Sequence, residues 1–185
     1  MSRRYIPLML LLLLIGIGHA NSQLTFVGAG GDYGTKIKEP GISGLAYYTV
    51  NEQIDLAPSI TYYLTHTEDI PDGEKKSSWL SFNLDGHYNI FQFGIFEGFG
   101  VMGLNFTYIT TETFETIQGT DFEDRRHETK AGLNVGFGGS IHFSNFLIPF
   151  TEFKYTLEDE AFQVNIRAGL IFRIMKDKER DFEEY

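Results

Sequence analysis

The chain contains no cysteine, so neither a disulfide framework nor a thiolate metal site is available, and its fold must hold without covalent staples. Cationic side chains are scarce: 15 Lys and Arg stand against 25 Asp and Glu, a formal net charge of −10. That balance argues against a nucleic-acid binder and against simple electrostatic attachment to an anionic surface. Past the N-terminal segment no long apolar block occurs, so the body of the chain offers no candidate spanning helix. Aromatic and small residues are abundant instead, with 17 Phe, 10 Tyr and 20 Gly, yet the mean hydropathy is −0.16. A β-barrel combines these properties, because its strands hide their hydrophobicity by alternation.

Arg3 and Arg4 precede an apolar run from Ile6 to Ile17, and Gly18 and Ala20 offer small residues for cleavage. Residues 1–20 read as a secretory signal peptide, cut after Ala20 or after Ser22. The run of about a dozen apolar residues falls short of the roughly 20 that a spanning helix needs. Ser2-Arg3-Arg4 resembles a twin-arginine signal, but the Leu-rich core favours the ordinary secretory route. What remains, roughly 163 to 165 residues, suits one domain. A barrel over residues 21–174 is expected, followed by a charged periplasmic tail at 175–185 (MKDKERDFEEY) that shows no alternation.

The clearest alternation runs from Phe162 to Ile174. Phe162, Val164, Ile166, Ala168, Leu170, Phe172 and Ile174 share one face; Gln163, Asn165, Arg167, Gly169 and Arg173 share the other, and only Ile171 breaks the rule. This exceeds the usual soluble strand and suits a tilted membrane-spanning one. Leu80 to Ile90, Met102 to Tyr108, Ala131 to Phe143, Ile54 to Leu64 and Phe153 to Leu157 repeat the pattern, and Leu24 to Gly34 and Ile42 to Val50 carry it more weakly. The sum is an all-β chain of eight antiparallel strands in an up-and-down transmembrane barrel. Thr35 to Gly41, His66 to Ser77, Glu112 to His127 and Glu158 to Ala161 are expected as loops at one end. Asn51 to Gln53, a turn near Ile95 to Gly98 and the two-residue turn Ser144-Asn145 fall at the other, with long loops and short turns segregated as in outer-membrane barrels. Between Asn89 and Gly98, Phe91, Phe93, Ile95 and Phe96 blur the pattern. Tyr47, Tyr48, Tyr62, Tyr63, Trp79, Tyr88, Tyr108 and Tyr155 fall near strand ends, where part of them would form aromatic girdles.

Together with the signal peptide, the segments GHYNI (Gly86 to Ile90), GVMGLNFTYI (Gly100 to Ile109), TEFKYTL (Thr151 to Leu157) and NIRAGLIFRI (Asn165 to Ile174) carry a family resemblance. The chain resembles the small eight-stranded outer-membrane barrels, of the OmpA-transmembrane-domain and OmpX type, over essentially its whole mature length. The resemblance implies residence in the outer membrane of a Gram-negative cell envelope, in contact with outer-membrane lipid and lipopolysaccharide. It names no activity, because fold does not imply function. Such barrels often end at a terminal aromatic, whereas here Met175 to Tyr185 follow Phe172 and Ile174.

The expected lumen carries Asp32, Asp55, Asp85, His87, His142, Glu152, Lys154, Arg167 and Arg173. Ionisable groups inside a membrane span are often functional, but an eight-stranded barrel is narrow enough to be filled by side chains that satisfy one another. Asp85, His87, Glu152, Lys154, Arg167 and Arg173 therefore read as a structural network, with Glu152 and Arg167 as the preferred pair, and no catalytic, cofactor or metal residue is assigned. His142-Phe143-Ser144-Asn145 is similar to the His-x-Ser-Asn motif of lipid A deacylase barrels; that resemblance implies His142 as base and Ser144 as nucleophile. The family's following glycine is missing, and neither Glu152 nor Glu158 has a clear claim as the third residue. Gly28 to Gly34 lacks the helix that a dinucleotide fingerprint requires. Glu68, Asp69, Asp72, Glu74, Asp121, Glu123 and Asp124 have no EF-hand spacing, so they read as solvated loop charge. His66 and His127 have no second histidine at a ligand spacing.

The expected function is non-enzymatic, structural or surface-recognising, with an unidentified protein partner met by the loops at 66–77 and 112–127. Three other readings stand behind it: a narrow porin-like channel, a lipid A deacylase-like enzyme, and a soluble lipocalin-like binder. The last would show the opposite parity, polar outside and apolar inside.

Overall fold

A computed structural model describes residues 23–71, 73–117, 120–144, 146–158 and 161–174. The signal peptide and the charged tail expected from the sequence lie outside these residues. Eight strands form one closed barrel in chain order: β1 (Gln23–Gly34), β2 (Glu39–Thr49), β3 (Ile54–Ile70), β4 (Gly73–Phe93), β5 (Phe96–Ile117), β6 (Thr120–Ile141), β7 (Leu147–Glu158) and β8 (Ala161–Arg173). Every neighbouring pair is antiparallel, and β1 closes the ring on β8 from Phe26↔Arg173 to Gly34↔Asn165. Closure matters physically because it leaves no wall strand with an unpaired edge in the span.

Parity sorts the side chains. Ile60, Tyr62, Phe82, Met102, Leu104, Phe106, Val135, Phe137, Phe153, Ile166 and Leu170 project outward and are exposed, while Thr61, Asn83, Asp85, Asn105, Asn134, Glu152, Lys154 and Arg167 are buried inside. This is the inverse of a soluble lipocalin-like barrel. An apolar exterior of this extent calls for a hydrocarbon solvent. Of the expected girdle aromatics, Tyr62, Tyr88, Tyr108 and Tyr155 are exposed on the outside, whereas Tyr47, Tyr63 and Trp79 are buried in the lumen.

The lumen is layered along its axis. At the end where the chain enters and leaves, Phe26, Leu45, Tyr47, Ala57, Ile148, Phe150 and Ile171 form an apolar layer. Ile171, the one residue that breaks the alternation of β8, is part of that layer: its parity is inward, and it fills the lumen where the lumen is apolar. At the other end Ile37, from the β1–β2 turn, packs with Tyr63, Trp79 and Ile109. The polar residues lie between these two seals.

The walls differ in thickness, and glycine sets the difference. Gly136 and Gly138 of β6 stand opposite Lys154 and Glu152 of β7. A Cβ at Gly136 would collide with the Phe153 carbonyl and lie 3.0 Å from Lys154 Cα; one at Gly138 would collide with the Phe99 ring. The absence of a side chain at Gly136 thus leaves room for Lys154, and at Gly138 for the Phe99 ring.

The structure corrects the expected connections. Residues 66–77 and 112–127 are not long loops: they belong to the β3–β4 and β5–β6 ladders, which run on to Ile70↔Gly73 and Ile117↔Thr120. Polar residues dominate both faces, and the few apolar ones, Ile70, Phe114, Ile117 and Phe122, are too scattered to set a hydrophobic period that would mark strands. At the opposite end β6 stops at Ile141 and β7 starts at Leu147, so the two-residue turn becomes a connection over 142–146. The blurred segment after Asn89 has a cause as well. A register shift between Asn89 and Phe91 brings Ile90 against Gly100 and Phe91 onto Gly98, so consecutive apolar side chains both point outward.

Candidate functional site

The register of β1, β8 and β7 sets Asp32, Arg167 and Glu152 side by side across three strands. Arg167 Nε donates to Asp32 Oδ1 at 3.0 Å and Oδ2 at 3.2 Å, Nη2 donates to Thr61 Oγ1 at 3.1 Å, and Nη1 lies 3.6 Å from Glu152 Oε1. Asp32 is therefore the closer partner of Arg167, and Glu152 the more distant one. Two contacts then cross the lumen from β7 to β4. Lys154 Nζ donates to Asp85 Oδ2 at 2.7 Å, and Glu152 Oε2 lies 3.3 Å from His87 Nε2. Lys154 also lies 3.3 Å from Glu152 Oε1, which joins the two groups into one cluster.

Amides extend the cluster toward the far end. Asn134, with 0% exposure, donates to Asp85 Oδ1 at 2.7 Å and to Asn83 Oδ1 at 2.9 Å, and accepts from Thr156 Oγ1 at 2.8 Å. Asn105 donates to Asn83 at 2.8 Å. Asn165 donates to Thr156 at 3.0 Å and accepts from Tyr63 Oη at 2.8 Å and from Gln163 Nε2. A low-dielectric interior makes such connected networks rigid when their members are satisfied.

Of the residues singled out from the sequence, Asp85, His87, Glu152, Lys154 and Arg167 converge here. Arg173 does not: its guanidinium sits over the Phe26 ring, 5.2 Å from the centroid, at the terminal end of the lumen. His142 is set apart too. Its Nε2 lies 2.7 Å from Glu97 Oε2 and 2.9 Å from Ser140 Oγ, whereas Ser144 Oγ accepts from the Phe146 amide at 3.2 Å. The serine next to His142 is thus Ser140 rather than Ser144. Acid and hydroxyl meet the same ring nitrogen, an arrangement that cannot relay a proton from serine to acid through the imidazole. Sequence reasoning passed over Glu97, which lies in the blurred segment, and Asn83, Asn105 and Asn134, whose inward parity was legible but whose neutral side chains drew no attention. Among the described residues no three His, Cys, Asp or Glu side chains are placed to hold a metal ion.

Two openings in the lumen among the described residues are small. A cavity of about 40 Å³ at the terminal end is bordered by Tyr47, Asp55, His87, Glu97 and His142, and another of about 10 Å³ lies beside Asp32, Asn105, Gln163 and Arg167. These volumes suit a few waters at most.

A second feature rises beyond the barrel rim. Pairing of β2 with β3 ends at Gly41↔Tyr63, and pairing of β6 with β7 ends at Gly132↔Glu158, while β3, β4, β5 and β6 continue against one another. The result is a four-stranded sheet standing roughly 20–40 Å past the rim along its strands at ~3.3 Å per residue. Its two outer edges, residues 67–70 of β3, past the contact of His66 with Glu39 at the start of β2, and 120–131 of β6, have no further strand beside them among the described residues. Its faces carry ion pairs, Lys76–Glu74 at 2.6 Å, Arg125–Glu112 at 3.2 Å and Arg126–Asp124 at 2.8 Å. On the shorter side of the rim, Lys36 reaches Glu158 at 3.1 Å, and Thr35 and Val164 exchange hydrogen bonds at 3.0 and 3.1 Å, holding the β1–β2 turn over the lumen.

No family model matches the chain, and no curated protein matches its sequence. Solved structures do match its fold. The N-terminal β-barrel domain of Pseudomonas aeruginosa OprF is 19% identical over 83% of this chain and 99% of its own, with a TM-score of 0.55. Ail, the attachment invasion locus protein of Yersinia pestis, is 13% identical over 81% and 96%, with a TM-score of 0.53. A major outer membrane protein from Thermus thermophilus is 9% identical over 80% and 98%, with a TM-score of 0.64. The chain shares with them the fold of the small eight-stranded outer-membrane barrels.

Proposed function

We propose that the protein is an integral outer-membrane barrel that recognises a partner at the cell surface and performs no catalysis. In this reading residues 1–20 direct export, residues 21–174 form the barrel, and both termini, with the tail at 175–185, lie in the periplasm. The observation that carries it is the four-stranded sheet beyond the rim, which presents two strand edges to the medium. Unpaired edge amides and carbonyls are templates for an extended segment of another chain, which would add main-chain hydrogen bonds while alternate side chains select the sequence.

The lumen serves as a brace in this scheme. Asp32, Asp85, His87, Glu152, Lys154 and Arg167 tie β1, β4, β7 and β8 together between two apolar seals, which supports a rigid mount for the sheet and speaks against a porin-like conduit. The test removes residues 66–76 and 113–126 and rejoins the strands with short turns. Barrel assembly in the outer membrane should persist while surface binding is lost. Retention of full binding by the shortened barrel would overturn the proposal.

A further inference from the structure

The outward side chains at the terminal end of the barrel are unequal around its circumference. The β2–β3 connection carries one exposed apolar residue, Val50, and is otherwise polar: Asn51, Glu52 and Gln53 are exposed, and Asn51 Oδ1 accepts from the Gln53 and Ile54 amides, both at 2.9 Å. The next two connections are not. The β4–β5 turn exposes Phe91, Phe93, Ile95 and Phe96, with Phe93 at 80%, and the β6–β7 connection exposes Phe143 and Phe146. The two are joined, since the His142 amide donates to the Ile95 carbonyl at 2.7 Å and Phe96 pairs with Ile141.

The chemistry of these residues decides what covers them. Toward the other end the exposed aromatics are mainly tyrosines, Tyr62, Tyr108 and Tyr155, with Phe162 stacked on Tyr155, and tyrosine hydroxyls suit the headgroup region. Phenylalanine has no such handle and belongs in hydrocarbon. The patch is also continuous with the lipid-facing wall, through Ile90 and Phe91 on β4 and Phe137 and Ile141 on β6. Along β4 the outward apolar side chains run from Leu80 to Phe93, roughly 30 Å measured along the barrel axis, against roughly 25 Å for Ile54 to Leu64 of β3. An ordinary apolar band is about 25 Å tall.

We propose that the β4–β5 and β6–β7 turns form a lipid-binding lobe sunk into the acyl region of the periplasmic leaflet, while the β2–β3 turn stands in water. The occupant is phospholipid acyl chain, and the longer apolar side tilts the barrel or thickens the bilayer beside it. This rests on the outer-membrane reading above.

The absence of cysteine from the chain makes the test direct. Single spin labels are placed at Phe93→Cys in the lobe, Glu52→Cys in the polar turn and Phe82→Cys in the middle of the lipid-facing wall, with Phe146→Cys as a second lobe site if F93C fails to assemble. Each barrel is reconstituted in phosphatidylcholine vesicles, and collisions with dissolved oxygen and with a water-soluble nickel chelate are read by saturation. The lobe label should match position 82, with oxygen collisions dominant and nickel collisions severalfold fewer than at position 52. A lobe label that matches position 52 overturns the proposal. So does one shielded from both reagents, because a protein would then cover the patch. If position 82 itself reads as aqueous, the membrane reading falls and takes this proposal with it; a lipid reading at 82 with an aqueous one at 93 refutes the lobe alone.

Discussion

Replacing Arg167 with methionine tests the brace most sharply. The guanidinium is held by Asp32 at 3.0 Å, by Thr61 at 3.1 Å and by Glu152 at 3.6 Å, and all four side chains are buried. Methionine fills much of the same volume but leaves Asp32 with no cation at hand and Glu152 with Lys154 and His87 alone. Removing one partner of a buried ion pair costs about 3–5 kcal/mol, most of it from the charge left behind. With a urea slope of ~2 kcal/mol per molar, the unfolding midpoint should fall by about 2 M. The assay is urea titration of the barrel in detergent micelles, read by heat-modifiable gel migration and by tryptophan fluorescence, since Trp79 packs in the apolar seal at the end away from the chain termini. Asp32→Asn in the same chain removes the stranded charge, so the double variant should lose less than the sum of the singles by about 1–3 kcal/mol. Strictly additive losses, or an Arg167→Met barrel within about 0.5 kcal/mol of the parent, would refute the brace.

Three further outcomes follow from the same geometry. Gly136→Ala sets a Cβ against the Phe153 carbonyl and the Lys154 backbone, so overpacking should cost about 1–3 kcal/mol and lower the folded fraction on refolding gels; an unchanged fraction would contradict the thin-wall account. The purified barrel in a planar bilayer should show no stable large conductance, because both ends of the lumen are sealed by apolar layers; steady ohmic steps would contradict the filled lumen. Mass spectrometry of the exported protein should place its first residue at Asn21 or Gln23, and an uncleaved N-terminus would contradict the signal peptide.

Much of the wall was legible in the residues because lipid and lumen impose opposite demands on successive side chains. The outward positions of Phe82, Met102, Phe137 and Ile166 follow from parity alone. The adjacency of Glu152 and Arg167 also followed, since they face each other on consecutive strands, although Asp32 proved the closer partner across the ring closure. The upper parts of β3 to β6 were not legible: from Thr65 to Ser78 and from Thr110 to Thr129 polar residues dominate both faces, so strand and loop look alike in composition. The blurred stretch at Ile90 and Phe91 hid a bulge, and with it the inward turn of Glu97 toward His142.

By itself the sequence determined the class of fold, the two faces of each wall strand and the chemistry offered to each solvent, because period-two patterning is a local property of the backbone. Only the tertiary structure decided which charges meet. Lys154 reaches Asp85, and Glu152 reaches His87, because ring closure brings β7 across from β4, and no local rule couples residues that far apart in the chain. The tertiary structure likewise decided that β3 to β6 continue as a paired sheet beyond the rim, since there the ladder hydrogen bonds themselves, rather than any contrast between water and oil, hold the strands in register.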